Sequence, residues 1–501
     1  MEPIAPPVLG DKALINEAEL RAYSPKQVRP ETIKHIHFIG VAGTGMGTLA
    51  GMLKTSGYRV TGSDQGIYPP MSDQLKAWEI ETMTGFDPKH LNPAPDLVIV
   101  GNACRPSNPE VQYAVEQGIP CTSMPRAIHD FFLADRHSIV IAGTHGKTTT
   151  TALTGWLLES AGLKPGVFIG GVSKNFNGSF RLPEGKYFVI EGDEYDSALF
   201  DKVPKFIHYA PTYAVLTSVE FDHADIYDNI DQVKAAFLEL MKRLTKDGQL
   251  WVCNDYPHGL DVAKTTKAPV TTYAASGMPE LRATNIRLSE EHVAFDVYKN
   301  ERKVANFRSP MFGQYNVANA LAAIGVALAL DISPEEIQKG LDTFEGIKRR
   351  QEIYARVGEL IVIDDFAHHP TAIKVTSAAI RERFPNRRIW GIFEPRSNTA
   401  RRNYFQELLP KSFDACDRVL LGWPFHFDKM EEEERLDIHK VIQDLKDQGK
   451  DAVAFPEVDQ IVDYVTAKAR PNDVILIMSN GGFGGIHRKI TEALATRFQE
   501  K

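Results

Sequence analysis

Residues 138–150 read Ser-Ile-Val-Ile-Ala-Gly-Thr-His-Gly-Lys-Thr-Thr-Thr, and this stretch is the strongest indication of the fold class of the chain. The apolar run 138–142 predicts a buried strand, the glycines after it predict a tight loop, and the residues after the loop predict a helix. In such a unit, successive backbone N–H groups and the helix N-terminus point at one anionic spot. Glycine is needed because the backbone approaches the phosphate closely. The stretch therefore predicts a phosphate-binding loop in an α/β protein.

The side chains of this loop indicate a nucleoside triphosphate and a divalent cation. Lys147 stands where a phosphate loop has the lysine that bridges the β- and γ-phosphates, and Thr148 stands where it has a hydroxyl ligand of Mg²⁺. Ile141 occupies the place of the first glycine of the strict pattern, so the loop is a variant. The residues that we assign to ATP binding here are Gly143, Thr144, His145, Gly146, Lys147, Thr148 and Thr149.

The alternation of strand-like and helix-like stretches starts three times along the chain. The starts lie near residues 35, 138 and 360. This βαβ rhythm predicts parallel sheets covered by helices. We place boundaries near 135 and 346, which gives an N-terminal extension and three domains with the ranges 1–33, 34–135, 136–345 and 346–501. The length of 501 residues agrees with a prior of about three domains.

A second glycine-rich loop, 40–47, follows the predicted strand 35–39 and also opens a helix. Its N–H groups and helix N-terminus also point at one anionic spot, which predicts a nucleotide diphosphate on this helix terminus. Residues 45–50 fit the dinucleotide pattern G-x-G-x-x-A, with Asp64 at a suitable distance, but Gly40 occupies the place directly after the strand where that pattern begins. NAD is therefore only one candidate ligand. The candidate binding residues are Gly40, Gly43, Thr44, Gly45, Met46 and Asp64.

Acidic residues and histidines follow three further predicted strands, where parallel sheets bind ligands. The run 191–196 begins with Glu191 and suits Mg²⁺, which takes one or two carboxylates plus phosphate oxygens; a solvated acidic loop is the alternative. His223 lies in the run 220–225 and could ligate a metal or hydrogen-bond a ligand. The run 364–370 contains His368 and suits proton transfer or nucleotide contact, whereas zinc is disfavoured because a third suitably spaced ligand is missing from the sequence.

Composition and charge exclude several classes of protein. The charged fraction of 24% and the hydrophobic fraction of 43% are those of a globular chain, not of a disordered or collagen-like one. The net charge of −8 gives no support to nucleic acid or an anionic membrane as partner. The longest apolar helical run, 317–330, is too short to span a bilayer, and no export signal is visible, so we expect a cytoplasmic protein.

Seven motifs in a fixed order make the chain similar to the Mur ligase family, the ATP-dependent amide-forming ligases of peptidoglycan. They are 40–47, 143–149, 191–196, Asp222-His223, 313–319 (Gly-Gln-Tyr-Asn-Val-Ala-Asn), 349–352 (Arg-Arg-Gln-Glu) and 364–370 (Asp-Asp-Phe-Ala-His-His-Pro). The resemblance implies a Rossmann-like first domain that binds the UDP of a UDP-N-acetylmuramoyl substrate. It implies a P-loop ATPase as the central domain and a Rossmann-like C-terminal domain that receives the incoming amine. ATP and Mg²⁺ are the implied cofactors.

The resemblance also implies roles for single residues. Lys147 would contact phosphate, and the implied Mg²⁺ ligands are Thr148, Glu191 and His223. Asn316 and Asn319 would lie near the adenine. Arg349 or Arg350 would couple the interdomain hinge to the phosphates, and we expect Arg350 in the ATP site. His368 would reach the nucleotide when the domains close, so the implied catalytic residues are Lys147, His223 and His368.

This sequence departs from the family pattern in two places. Several members carry a carbamylated lysine after the Asp-His motif, but the spacing of Lys234 does not match and Phe237 stands nearer to that place. We therefore assign no lysine to that role. Ser218 replaces the usual asparagine two residues before the glutamate of the motif.

Motifs of the third domain distinguish between possible acceptors. The stretches 394–399 (Glu-Pro-Arg-Ser-Asn-Thr) and 478–487 resemble members that join UDP-N-acetylmuramate to the murein tripeptide L-alanyl-γ-D-glutamyl-meso-diaminopimelate. The candidate acceptor residues are Arg396, Ser397, Asn398 and Asn480. A ligase that adds L-alanine is the alternative, and a nicotinamide oxidoreductase or a non-catalytic nucleotide-binding module are alternatives from other classes. The oligomeric state stays open.

Overall fold

The computed structural model describes residues 28–68, 71–224, 226–289, 291–424 and 430–499. The chain divides into two compact units. The first comprises Met1–Gly143, Thr150–Val219 and Lys234–Thr271, and the second comprises Thr144–Thr149, Glu220–Val233 and Thr272–Lys501. The domain boundaries near 135 and 346 stay predictions. Most of the predicted N-terminal extension lies outside the described residues, and its described end is held by the N–H of Val28, which donates to Asp130 at 3.0 Å.

A sheet of five parallel strands opens the first unit, in the order β3-β2-β1-β4-β5. The strands are β1 (His35–Ile39), β2 (Arg59–Asp64), β3 (Glu81–Thr84), β4 (Leu97–Val100) and β5 (Cys121–Ser123), and the helices of this part are α1 (Thr44–Thr55), α2 (Met71–Ala77), α3 (Pro109–Glu116) and α4 (Met124–Ile128). Every residue of β4 is buried. A continuous apolar run of this kind is what a parallel strand covered on both faces requires.

Helix α1 packs closely against its neighbours at two of its three glycines. A Cβ atom on Gly47 would lie 2.2 Å from the sulfur of Met71, and one on Gly51 would lie 2.7 Å from the ring of Trp78. Positions four apart share one face of a helix. The two glycines therefore form the groove into which Met71 and Trp78 fit, and α1 is held firmly under the loop that precedes it.

Six further neighbouring strands of the first unit run in the order β13-β12-β6-β9-β7-β8, of which β8 alone is antiparallel to its neighbour. They are β6 (His137–Ala142), β7 (Gly166–Ser173), β8 (Gly178–Arg181), β9 (Tyr187–Gly192), β12 (Tyr213–Leu216) and β13 (Gln249–Cys253), with the hairpin β10 (Asp196–Ala198) and β11 (Asp201–Pro204). The helices of this stretch are α5 (Lys147–Ser160), α6 (Ile230–Arg243) and α7 (Pro257–Ala263). Because β6, β9 and β12 are parallel, the residues that follow them meet at one edge of the sheet.

A buried carboxylate links the hairpin strand β11 to the end of β5. Oδ2 of Asp201 accepts a hydrogen bond from Ser123 at 2.8 Å and lies 3.1 Å from Nε of Arg126 and 2.9 Å from Nε2 of His208. Burial opposes ionisation of Asp201, but these partners outweigh it and keep the pKa of the carboxyl below its ordinary value. Removing one partner would leave a buried charge poorly compensated, which is costly.

The second unit contains an antiparallel group and two helices before its main sheet. Strands β15 (Leu281–Leu288), β16 (Val293–Lys299) and β17 (Arg302–Ser309) are antiparallel neighbours, and β14 (Val270–Ala274) pairs parallel to β15 through Tyr273 and Ala274. Helices α8 (Gln314–Ala329) and α9 (Pro334–Asp342) follow. Helix α9 begins with a capping box in which Ser333 and Glu336 satisfy each other's backbone N–H groups.

The main sheet of the second unit has the strand order β18-β19-β23-β20-β21-β22, in which β18 alone is antiparallel to its neighbour. The strands are β18 (Glu352–Val357), β19 (Leu360–Asp365), β20 (Ile389–Phe393), β21 (Arg418–Gly422), β22 (Asp451–Phe455) and β23 (Val474–Met478), and the helices are α10 (Pro370–Arg383), α11 (Ile438–Asp447), α12 (Val458–Lys468) and α13 (Ile486–Gln499).

Two cores, one on each face, hold this sheet. Ile361 and Ile363 of β19 belong to one core, whereas Leu360 and Val362 belong to the other. Successive side chains of a strand point to opposite faces, so the uninterrupted apolar run 360–363 serves both cores at once. The predicted α/β class with parallel sheets is confirmed. Within the described residues, no helix has the length and apolar character that crossing a membrane requires.

Candidate active site

The predicted phosphate loop lies between β6 and α5, and its backbone depends on two glycines. Gly143 has φ +134° and Gly146 has φ +80°, a region that side chains rarely adopt. A Cβ on Gly143 would lie 2.7 Å from the backbone nitrogen of Ser218, and one on Gly146 would lie 2.6 Å from Oδ1 of Asn319. The loop therefore has a backbone that only glycine accommodates, and it leads directly into the N-terminus of α5 at Lys147.

Helix α8 supplies the two asparagines that the resemblance implies for adenine. Both side chains are buried; Nδ2 of Asn316 donates to the carbonyl of Phe312 at 2.9 Å, and Nδ2 of Asn319 donates to Oδ1 of Asn316 at 3.1 Å. This chain of amides orients Asn319 toward Gly146. The structure thus brings the start of α8 next to the phosphate loop.

The linker 349–351 reaches both the phosphate loop and the main sheet. Nη2 of Arg350 donates to Oγ1 of Thr148 at 3.3 Å, and its guanidinium lies over the ring of Phe366 at 4.9 Å. Arg349 instead donates to the carbonyls of Ser479 and Gly481 at 2.6 and 2.7 Å. Of the two arginines, Arg350 is therefore the one beside the loop, and Arg349 holds the turn after β23.

This linker stores backbone strain. Arg349 has φ +62° and Gln351 has φ +47°, which costs of order 1 kcal/mol or more for each non-glycine residue. Two hydrogen bonds offset this cost at Gln351. Its side-chain amide donates to the hydroxyl of Tyr315 at 2.5 Å and to the carbonyl of Phe312 at 3.2 Å. Such strain persists only where the surroundings impose it.

The segment 220–224 lies against the phosphate loop. Glu220 exchanges two hydrogen bonds with Thr144, from its own N–H (2.9 Å) and to its own carbonyl (3.2 Å). Oε2 of Glu220 lies 2.8 Å from Nε2 of His145. Burial opposes ionisation of Glu220, but the pairing with His145 prevails and lowers the pKa of the carboxyl. His223, the implied metal ligand, follows with φ +57°.

The motif 364–370 brings two histidines to the same segment. Nε2 of His368 lies 4.0 Å from Oδ2 of Asp222, and Nε2 of His369 lies 3.2 Å from the carbonyl of Phe221. Burial lowers the pKa of His368, against the opposing effect of Asp222. Burial, aided by His145, lowers the pKa of His369 to about 3, so that its imidazole is neutral at physiological pH.

Sequence analysis included Glu220 and His369 in its runs of acids and histidines, 220–225 and 364–370, but gave neither residue a role of its own. Glu220 pairs with a residue of the loop, and His369 caps α10 by accepting from the N–H of Thr371 at 3.2 Å. The sequence signal that could have identified His369 is its place directly before Pro370, where a helix needs a cap. Glu220 carried no comparable local signal.

One cluster of described residues has the composition of a metal site: His145, Glu220 and His369, whose ligand atoms lie within 4.8 Å of one another. Both ring nitrogens of His369 already have partners, since Nδ1 accepts from Thr371 and Nε2 lies on the carbonyl of Phe221. The rings of His145 and His369 are 4.6 Å apart. The geometry favours a contact between His145 and Glu220 that the His369 ring covers, rather than a bound metal.

Two of the three donors assigned to Mg²⁺, Glu191 and Thr148, offer the oxygen atoms that a hard cation prefers. Glu191 is the next-to-last residue of β9 and is buried, and its Oε1 accepts from the N–H of Gly170 at 2.6 Å. A Cβ on Gly170 would lie 2.9 Å from Oε2 of the same carboxylate, so this position must lack a side chain. Thr148 contributes a buried hydroxyl. Carboxylate and hydroxyl oxygens are the ligands that Mg²⁺ prefers.

The side chain of Asp64 accepts a hydrogen bond from the backbone of the first glycine-rich loop. Gly40 has φ +87°, and Oδ2 of Asp64 accepts from the N–H of Ala42 at 2.9 Å. Gly43 precedes α1 without a side-chain cap. Met46 is buried in the core, so any contact of this residue with a ligand has to come from its backbone. The structure thus brings the predicted diphosphate-binding residues together at the N-terminus of α1, where Thr44 and Gly45 begin the helix.

Of the four candidate acceptor residues, two come together. A Cβ on Gly481 would lie 2.2 Å from Cδ and Nε of Arg396, so the guanidinium stem of Arg396 rests on the backbone beside Asn480. Oδ1 of Asn480 is buried with no hydrogen-bond partner among the described residues. Ser397 and Asn398 instead stabilise their own loop, since Ser397 accepts from the N–H of Ala400 and Asn398 accepts from Arg401.

The chain is similar to known ligases over nearly its whole length. Three family models match: the Mur ligase family catalytic domain at residues 35–136, the Mur ligase middle domain at 141–327, and the Mur ligase glutamate ligase domain at 349–481. A protein of Haemophilus influenzae named UDP-N-acetylmuramate–L-alanyl-γ-D-glutamyl-meso-2,6-diaminoheptandioate ligase is 39% identical over 92% of this chain and 99% of its own. The UDP-N-acetylmuramate–L-alanine ligase of Acetivibrio thermocellus is 32% identical over 90% of this chain and 94% of its own.

A solved structure gives the same result. The crystal structure of a murein peptide ligase from Psychrobacter arcticus 273-4 has a TM-score of 0.69 and 36% identity, and covers 92% of this chain and 99% of its own. The fold, the two glycine-rich loops and this similarity agree. The chain belongs to the Mur ligase family and is an ATP-dependent ligase.

Proposed function

We propose that this ligase joins the carboxylate of UDP-N-acetylmuramate to the amine of the tripeptide L-alanyl-γ-D-glutamyl-meso-diaminopimelate, in the cytoplasm. The observation that carries the choice of acceptor is the level of similarity, which is 39% to a relative named for this reaction and 32% to one named for L-alanine. Arg396, whose stem rests on the backbone at Gly481 and whose Nη1 lies 3.5 Å from Oε1 of Glu394, is the residue that we propose to pair with the acceptor carboxylate.

The reaction requires activation because a carboxylate does not react with an amine in water at a useful rate. The muramate carboxylate attacks the γ-phosphorus of ATP and ADP leaves, which gives an acyl phosphate. The tripeptide amine then attacks the acyl carbon, phosphate leaves, and the amine gives up a proton. Lys147 and the N-terminus of α5 stabilise the charge on the transferring phosphoryl group. Bound Mg²⁺, held by Thr148, Glu191 and His223, would supply further charge neutralisation.

Exclusion of water is the other requirement, since an acyl phosphate hydrolyses readily. The C-terminal residues His368 and His369 cover the segment 220–224 beside the phosphate loop. Arg350 covers Thr148 from the linker. We assign to these residues the task of enclosing the intermediate, with His368 as the catalytic contact of the C-terminal domain.

Phosphate release measured with purified enzyme tests the proposal. With ATP, Mg²⁺ and UDP-N-acetylmuramate present, we expect the tripeptide to stimulate release and L-alanine to give little. Equal or greater stimulation by L-alanine would replace the proposed acceptor by the alternative one. Binding of NADH to the loop 40–47, measured by fluorescence, would instead support an oxidoreductase, and we expect none.

A further inference from the structure

Side chains from the stretch 369–404 contact almost every residue of the segment 220–224. Thr371 donates to Oε1 of Glu220 at 3.1 Å, His369 contacts the carbonyl of Phe221, and Tyr404 packs edge-on against the Phe221 ring at 5.6 Å. On its other side the same segment bonds to the phosphate loop through Thr144. It therefore connects the acceptor half of the site with the nucleotide half.

Thr399 makes the two contacts that bracket His223. Its Oγ1 donates to Oδ1 of Asp222 at 2.9 Å and accepts from the N–H of Ala224 at 3.2 Å. A hydroxyl can donate and accept at once, and that of Thr399 is buried, with 2% of the residue exposed. The residue before His223 and the residue after it are thus fixed by one side chain.

The backbone at His223 needs such a constraint. Its φ of +57° lies in the left-handed region, which costs a non-glycine residue of order 1 kcal/mol or more. Asp222 holds the turn locally by accepting from the N–H of His223 at 2.7 Å. That bond uses the same oxygen to which Thr399 donates, so the hydroxyl also orients the carboxylate that stabilises the turn.

Thr399 also belongs to the candidate acceptor loop. It follows Arg396 by three residues, and the bond from the N–H of Ala400 to Ser397 makes the loop compact between them. A shift of Arg396 on binding an acceptor would therefore be transmitted over one short turn to Thr399, and from there to His223.

We propose that Thr399 is a positioning residue, which seats His223 for phosphoryl transfer when the acceptor loop is in place. The inference rests on the proposed function, since it assigns the 396–399 loop to the acceptor. Its consequence is that the nucleotide half of the site is complete only when the acceptor half is docked, which limits formation of an acyl phosphate that no amine can use.

The test compares two variants of the full-length enzyme that differ in one group. Thr399→Val keeps the shape of the side chain and removes the hydroxyl, whereas Thr399→Ser keeps the hydroxyl. We expect the valine variant to lose about 10- to 100-fold in kcat, the effect of one hydrogen bond to a charged group, with KM for the tripeptide changed less than about threefold. The serine variant should retain most of the wild-type kcat. Thr466→Val, which removes a hydroxyl bond within α12, is the matched control.

Hydrogen exchange at the amide of Ala224 gives a readout that does not depend on turnover. We expect faster exchange in the valine variant and near wild-type exchange in the serine variant and in the control. Equal loss of kcat in the valine and serine variants would overturn the proposal in favour of simple packing. Faster exchange at Ala224 with unchanged kcat would also overturn it, because the bond would then be structural alone. If the wild-type enzyme ignores the tripeptide but uses L-alanine, the proposed acceptor fails, and the same comparison run with L-alanine still decides the role of Thr399.

Discussion

The two glycine-rich loops share one backbone arrangement, but the side chains around them differ. Each links a buried parallel strand to a helix through four residues, 40–43 between β1 and α1 and 143–146 between β6 and α5. Each begins with a glycine of positive φ. The first loop is closed by a carboxylate, Asp64, which accepts from one of its N–H groups. The second is followed by Lys147 and contacted by Arg350 at Thr148.

This difference suits the two ligands that we propose for the loops. The helix terminus attracts an anion in both loops. Cations around the second loop add the charge that a triphosphate and a transferring phosphoryl group require. An acid beside the first loop suits a nucleoside diphosphate, because a carboxylate there can also accept from a ribose hydroxyl. On the proposed assignment, the shared backbone of the loops binds phosphate, and the side chains around the second loop provide the charge for phosphoryl transfer.

Removing the cation of the second loop should give the largest effect. We expect Lys147→Ala to lower kcat for phosphate release by about 100- to 1000-fold, as loss of one group that stabilises transition-state charge does. The KM for the UDP-sugar should change little, since that substrate is assigned to the first loop. A Lys147→Ala enzyme with more than half of the wild-type rate would contradict the assignment of the loop to ATP.

The last residue before each helix offers a matched pair of substitutions. Gly146 has φ +80° and a Cβ there would lie 2.6 Å from Asn319, whereas Gly43 has φ −67° and the nearest atom to its Cβ would lie 3.8 Å away. We expect Gly146→Ala to weaken ATP binding by about 10- to 100-fold through strain and collision. Gly43→Ala should leave ATP binding unchanged, and calorimetric titration of both variants measures the difference. Equal losses of ATP affinity in the two variants would mean that the effect of Gly146→Ala is not specific to the second loop.

Local patterns predicted the fold well because its strands are buried on both faces. The run 360–363 is apolar without interruption, and both of its faces meet a core. The antiparallel strands β15 to β17 lie outside the predicted strands, because polar residues interrupt their apolar positions, as the exposed Asn285 and Lys303 illustrate. An interrupted run of this kind has no reliable period.

The candidate site was predictable only where a local motif carries it. The glycines of both loops have the conformations that the motif requires, and the roles of Lys147, Glu191 and His223 stay predictions. The pairing of His145 with Glu220 and the covering ring of His369 could not be predicted, since three distant segments meet there. Such contacts depend on tertiary packing, which no periodicity in the sequence encodes.

A pH series tests the surroundings of the second loop. The pKa of His369 is lowered to about 3 from an ordinary 6.5, so below pH 6.5 the unfolded chain takes up a proton that the folded chain refuses. The free energy of unfolding should therefore fall as the pH falls from 6.5 toward 3, by up to about 1.4 kcal/mol per pH unit. His369→Asn keeps an acceptor for the N–H of Thr371 and removes this titration. Urea unfolding at pH 7.0 and 5.5 should show a smaller pH effect in the variant, and identical pH effects would refute the assignment.

Removing the acid of the first loop should give the smallest effect. Asp64→Ala deprives the N–H groups of Ala42 and Gly66 of their acceptor, at 2.9 and 3.3 Å. We expect KM for the UDP-sugar to rise about tenfold, the effect of losing one hydrogen bond to a charged group, with KM for ATP unchanged. Asp64→Asn keeps an acceptor oxygen and should fall between the variant and the wild type. A parallel rise in both KM values would show that the acid supports the fold of the first sheet rather than one ligand, and the contrast between the loops would then be confined to their cations.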